Sequence, residues 1–70
     1  MAAGFGDWLA QFTQVNGAIG DLARDAAADP DWPDGPDELE TYTDHLEDAG
    51  ASEAALDVLA DAWARYAAGS

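Results

Sequence analysis

Apolar residues recur at helical spacing in four stretches of the chain. Phe5, Trp8, Leu9 and Phe12 fall at i, i+3, i+4 and i+7, with Asp7 and Gln11 on the other side. This spacing predicts a helix from Phe5 to about Thr13. Asn16-Gly17 then reads as a break, with Asn16 as the N-cap of a second helix. That helix carries Ile19, Leu22, Ala23 and Ala26 on one face. It should fade near Asp29, because Pro30 disfavours helix in the residue before it. A third helix is expected from about Asp37. Asp37, Glu38 and Glu40 suit the dipole of its first turn, and Leu39, Tyr42, Leu46 and Ala49 form its inner face. Gly50 fits the position just past its end. Ser52 is the expected N-cap of a last helix carrying Ala55, Leu56, Leu59, Trp63 and Tyr66. Gly69 and Ser70 should fray.

Between the second and third helices lies Asp29 to Pro36, with three prolines and a glycine. These forbid a continuous helix or a central strand. Trp32, in its middle, is expected to plug against the helices; exposed, it would instead be a binding anchor. No strand pattern and no internal repeat appear. The expectation is an all-α, compact bundle of four to five short helices. It forms one domain over 1–70, ordered from about 4 to 67. Its core should hold Phe5, Trp8, Leu9, Phe12, Ile19, Leu22, Trp32, Leu39, Tyr42, Leu46, Leu56, Leu59, Trp63 and Tyr66.

Composition narrows the function. Fifteen acids face two arginines and no lysine, a formal net charge of -13. Nucleic-acid affinity comes largely from cations that meet phosphate. Arg24 and Arg65 both have local uses, since Asp21 precedes one by three residues and Asp61 the other by four. Direct binding to nucleic acid or to an anionic membrane is therefore not expected, whereas a basic protein surface, a cation atmosphere or simple solubility all remain open as reasons for the charge. Such acidity with few aromatics would indicate disorder, but 49% of the chain is apolar and it has seven aromatic residues. Half of the apolar residues are alanine, which favours closely approaching helices. No cysteine is present, so neither a disulfide nor a thiolate metal site can form. Met1 to Gly6 lack a basic or long apolar run, so a cytoplasmic protein without a signal peptide or membrane span is expected.

Candidate chemistry is sparse. His45 is the single histidine, and Ser52 and Ser70 are the serines. Ser52 already has a capping use and lies beyond Gly50 from His45, so a Ser-His-Asp arrangement is not expected. Carboxylate pairs are too common here for any one to stand out as an acid-base pair. His45 with Asp48 could hold a metal only weakly, because a site needs more ligands. Asp29, Asp31 and Glu40 fit positions 1, 3 and 12 of an EF-hand count, but Pro33 holds position 5 and Asp34 the glycine position. No catalytic residue, cofactor or specific metal site is assigned.

The order of these features resembles a known family. Phe5, Trp8 and Leu9, then Asp21-Leu22-Ala23 with Asp25, then Asp31-Trp32-Pro33, carry the first half of the likeness. Tyr42 and Leu46 before Gly50, and Ala62-Trp63 with Tyr66, carry the second. Together they are similar to the YozE family, small bacterial proteins of sterile-alpha-motif-like fold. The chain departs from that family in its acidity, its lack of lysine and its proline-rich loop. The resemblance implies the helical bundle and leaves activity open, since such folds host protein, RNA and self-association roles.

The expected function is a small non-enzymatic protein-interaction or regulatory module, a monomer or weakly self-associating. Its candidate contact surface is Asp29, Asp31, Asp34, Asp37, Glu38, Glu40, Asp44, Glu47 and Asp48. The alternative is an acidic nucleic-acid mimic that occupies a basic DNA- or RNA-binding site. A mimic needs carboxylates along one continuous face, whereas Asp7, Asp21, Asp25, Asp57 and Asp61 spread the charge. Adaptation to a salt-rich cytoplasm or a GC-rich genome would produce similar acidity without a partner.

Overall fold

The computed structural model describes residues 4–69; the expected fraying of Ser70 lies outside them. Four helices follow one another: α1 (Phe5–Ala10), α2 (Ala18–Ala28), α3 (Leu39–Asp48) and α4 (Glu53–Gly69). The last is the longest, continues through Gly69 and touches all three others. No strand occurs among the described residues.

Local chemistry explains most of the boundaries. The third helix ends in a Schellman arrangement: Gly50 N–H donates to the Glu47 carbonyl (3.0 Å) and Ala51 N–H to the Leu46 carbonyl (2.9 Å). Gly50 supplies the required positive φ of 84°. Ser52 Oγ accepts the Ala55 N–H at 3.2 Å and so caps α4 as expected.

Four boundaries differ from the sequence reading, the simplest being that α4 stays helical through Gly69 instead of fraying there as expected. The first helix stops at Ala10 rather than Thr13, and the chain tightens into three-residue turns. There Phe12 N–H reaches the Leu9 carbonyl and Val15 N–H the Phe12 carbonyl. The N-cap of α2 is Gly17, not Asn16, and it makes no side-chain cap. At φ 105° it turns its carbonyl to accept the Asp21 N–H, a conformation that Asn16 would disfavour. The third helix begins at Leu39, with Glu38 as N-cap, so Asp37 stands before it.

The core centres on Phe5, Leu9, Leu22, Tyr42 and Leu59, joined by Ala23, Ala26 and Ala62. Trp8, Phe12, Ile19, Trp32, Leu39, Leu46, Trp63 and Tyr66 are half-buried and pack against it. Leu56, expected in the core, is half-buried at the start of α4 and lies outside that packed set. Ala49, expected on the inner face of α3, caps its end and is exposed.

All seven aromatic rings form one continuous series of contacts. Phe5 is its hub, within 5.7 Å of Trp8, Tyr42, Trp63 and Tyr66 by ring centroid. Alanines on α2 and α4 let the helices approach this cluster closely. Gly20 lets the turn before α2 fold tightly onto it, because a Cβ there would lie 1.7 Å from the Val15 carbonyl oxygen.

Candidate functional site

The nine candidate acids divide into two that the fold uses and seven that it does not. Asp37 is the most heavily used. Its Oδ1 accepts the Phe5 N–H at 2.9 Å and the Tyr42 hydroxyl at 2.7 Å, and its Oδ2 accepts the Tyr66 hydroxyl. The residue before Phe5 is Gly4, which has no side chain with which to cap α1. Asp37 therefore supplies the cap from a distant segment, and ties α1 to α3 and α4 through the two tyrosines. Burial works against its charge, but the Tyr66, Phe5 and Tyr42 donors outweigh that and hold its carboxyl below the usual range. Burial first, and then the Asp37 bond, push the Tyr42 hydroxyl well up, with weaker contributions from the fields of Asp37, Tyr66 and Asp34. The Asp37 bond also raises Tyr66.

Asp29 is the second structural acid. His45 Nε2 donates to its Oδ2 at 2.6 Å, and Asp31 N–H donates to its Oδ1 at 2.8 Å. The His45 hydrogen bond, followed by that of Asp31, holds the Asp29 carboxyl below its usual value. The pair fixes the start of the loop to α3. His45 also lies edge-on to Trp32 at 5.5 Å, and Trp32 stacks on Tyr42 at 5.6 Å. Trp32 is thus the expected plug. Its Nε1 is buried without a hydrogen-bond partner, and a Cβ on Gly6 would come within 2.9 Å of it.

Asp31, Asp34, Glu38, Glu40, Asp44, Glu47 and Asp48 are exposed, and their carboxylates make no hydrogen bond or ion pair within the described chain. Asp7, Asp21, Asp25, Glu53, Asp57 and Asp61 are exposed on α1, α2 and α4. The two arginines behave as expected, and Arg24 does more. It pairs with Asp21 and also donates to the Thr13 and Val15 carbonyls, at 3.0 and 3.2 Å. These carbonyls lie beyond the short α1, so a cation ties its tail to α2. Arg65 lies 3.7 Å from Asp61 at the surface.

A cleft of about 400 Å³ opens between α1, α2 and the loop. Gly6, Ala23 and Ala27 give it low walls, Trp32 and Tyr42 an aromatic side, and Asp7 and Asp34 its charge. Sequence reading missed both this cleft and the Asp37 clamp. Gly6 and Ala10 on one side of α1, with Gly4 just before it, leave the room for the cleft, but in the sequence such small residues read as close packing. Among the described residues no group of three or more His, Asp or Glu side chains is placed to hold a metal ion. No helix among them is long and apolar enough to cross a membrane.

The family model of the YozE SAM-like fold matches residues 4–68, which span all four helices and the loop. The chain belongs to this family. No curated protein and no solved structure was found that matches it. Within this YozE-family domain, the aromatic residues on which the sequence resemblance rests, Phe5, Trp8, Trp32, Tyr42, Trp63 and Tyr66, all join the one series of ring contacts. The free acids lie outside that framework.

Proposed function

We propose that this domain is a non-enzymatic protein-interaction or regulatory module, acting in the cytoplasm on a basic partner. The observation that carries the reading is the division of the acids. The loop and α3 expose Asp31, Asp34, Glu38, Glu40, Asp44, Glu47 and Asp48, and the fold uses none of these side chains. A row of like charges on one short element raises self-repulsion, and a cationic partner surface would relieve it. Ser52 caps α4 and His45 bonds Asp29, so the two are not bonded to each other as a nucleophile and its base would be. The mimic reading is less well supported, because exposed acids also stand on α1, α2 and α4 rather than along one ridge. The test is affinity capture at low salt on the immobilised domain. Recovery of basic proteins that elute as salt is raised is the expected result. Recovery of no partner at low salt would count against the module.

A further inference from the structure

The cleft between α1, α2 and the proline-rich loop has a shape and a charge that the fold itself does not need. We propose that it receives a lysine or arginine side chain from an extended segment of a partner protein. The proposal rests on the reading of the domain as an acidic interaction module, and it names where the partner's charge is placed.

Four observations converge on this occupant. Asp7 from α1 and Asp34 from the loop both line the cleft, and neither carboxylate has a hydrogen bond or ion pair within the described chain. The chain's own arginines are engaged elsewhere, Arg24 with Asp21 and Arg65 beside Asp61. The opening persists because Gly6, Ala23 and Ala27 project nothing larger than a methyl into it. Finally, the Trp32–Tyr42 stack forms one side of the cleft, and the field of Asp34 reaches the Tyr42 hydroxyl.

These features match the two halves of a long basic side chain. Its methylene stem lies along apolar surface while its charged head stays with the carboxylates. An anionic ligand would meet a chain of net charge -13. A purely apolar side chain would take water from two carboxylates without pairing them, which is costly. A basic side chain pairs with the two rim carboxylates and lays its stem along the small-residue walls.

The test is an NMR titration at low salt, with a capped Gly-Ser-Arg repeat peptide as the probe. The reporter is the indole N–H resonance of Trp32, assigned with Trp32→Phe. Peptide binding should move that resonance. Replacing both cleft acids, Asp7→Asn with Asp34→Asn, should weaken binding about five- to tenfold, as the loss of two rim ion pairs implies. Asp44→Asn with Asp48→Asn makes the same charge change on α3 and should weaken it less than about twofold. Ala27→Met, at an exposed position, fills the cleft with both carboxylates kept, and should abolish the Trp32 shift. Equal weakening by the two double variants would overturn the cleft and leave the module standing. An unchanged Trp32 shift in Ala27→Met would do the same. No binding of the peptide to the wild type would overturn both. Spermidine giving the same affinity and the same Trp32 shift as the peptide would overturn the protein partner in favour of a small polyamine.

Discussion

Replacing Asp37 by alanine removes one acceptor that serves three donors. The largest consequence falls on Tyr42, which is only 1% exposed. A buried hydroxyl left without a partner costs about 1–3 kcal/mol. Phe5 N–H and the half-buried Tyr66 hydroxyl can regain water in part, so the total should be about 2 kcal/mol rather than three full bonds. A single core of this size supplies roughly 3–5 kcal/mol, so the variant should be marginal. Its melting midpoint should fall by roughly 8–16 °C, at about 4–8 °C per kcal/mol for a domain this small. Asp37→Asn separates geometry from charge. Its amide oxygen can accept from Phe5 N–H and Tyr42, and its NH2 can donate to the Tyr66 oxygen. It should stay within about 1 kcal/mol of wild type, the difference between a charged and a neutral acceptor. Circular dichroism through thermal and urea unfolding reads both variants. Asp37→Ala within about 0.5 kcal/mol of wild type, the range of ordinary surface changes, would refute the clamp. Asp37→Asn as damaging as Asp37→Ala would move the stabilisation from hydrogen bonding to charge.

Three further outcomes follow. Asp29 and Asp37 have lowered folded-state pKa values, so their stabilisation is present above about pH 4 and is lost as pH falls through those values. Tyr42 and Tyr66 are raised, so theirs holds below about pH 10 and is lost as pH rises through the folded values; stability against pH, in wild type and Asp37→Asn, should show both limbs in the first and a weaker acid limb in the second. The domain's radius of gyration, 11.0 Å, is close to the Debye length of about 10 Å at 0.1 M salt, so the melting temperature should rise from low to molar salt, and a flat profile would refute self-repulsion. Gly20→Ala should cost about 3 kcal/mol or more in urea unfolding, because the new Cβ meets the Val15 backbone oxygen and no side chain can rotate away; a neutral result would refute that close approach.

What could be read in the sequence was local. Ser52 and Gly50 act within a few residues of themselves, and their chemistry alone places the α3–α4 junction. The apolar spacing located every helix, and the ordered aromatics pointed to the family. Asp37 was beyond such reading. Its position suits the first turn of a helix, but its partners lie on three other segments, and only the fold brings them together. Asn16 misled because a good capping side chain stood next to a glycine whose positive φ suits that break better. The cleft was hidden for a related reason: glycines and alanines signal close packing, and a gap appears only where two small faces meet a loop.

The central claim is that the free acids of the loop and α3, rather than acidity in general, make contact with a partner. Capture at low salt with two charge-matched variants tests it most directly. One neutralises Asp31, Asp34, Glu40, Asp44 and Asp48, from the loop and α3; the other neutralises Asp21, Asp25, Glu53, Asp57 and Asp61. The account expects the first to lose the basic proteins that wild type retains and the second to keep them. Equal loss from both would contradict it and leave the charge as a general surface coat.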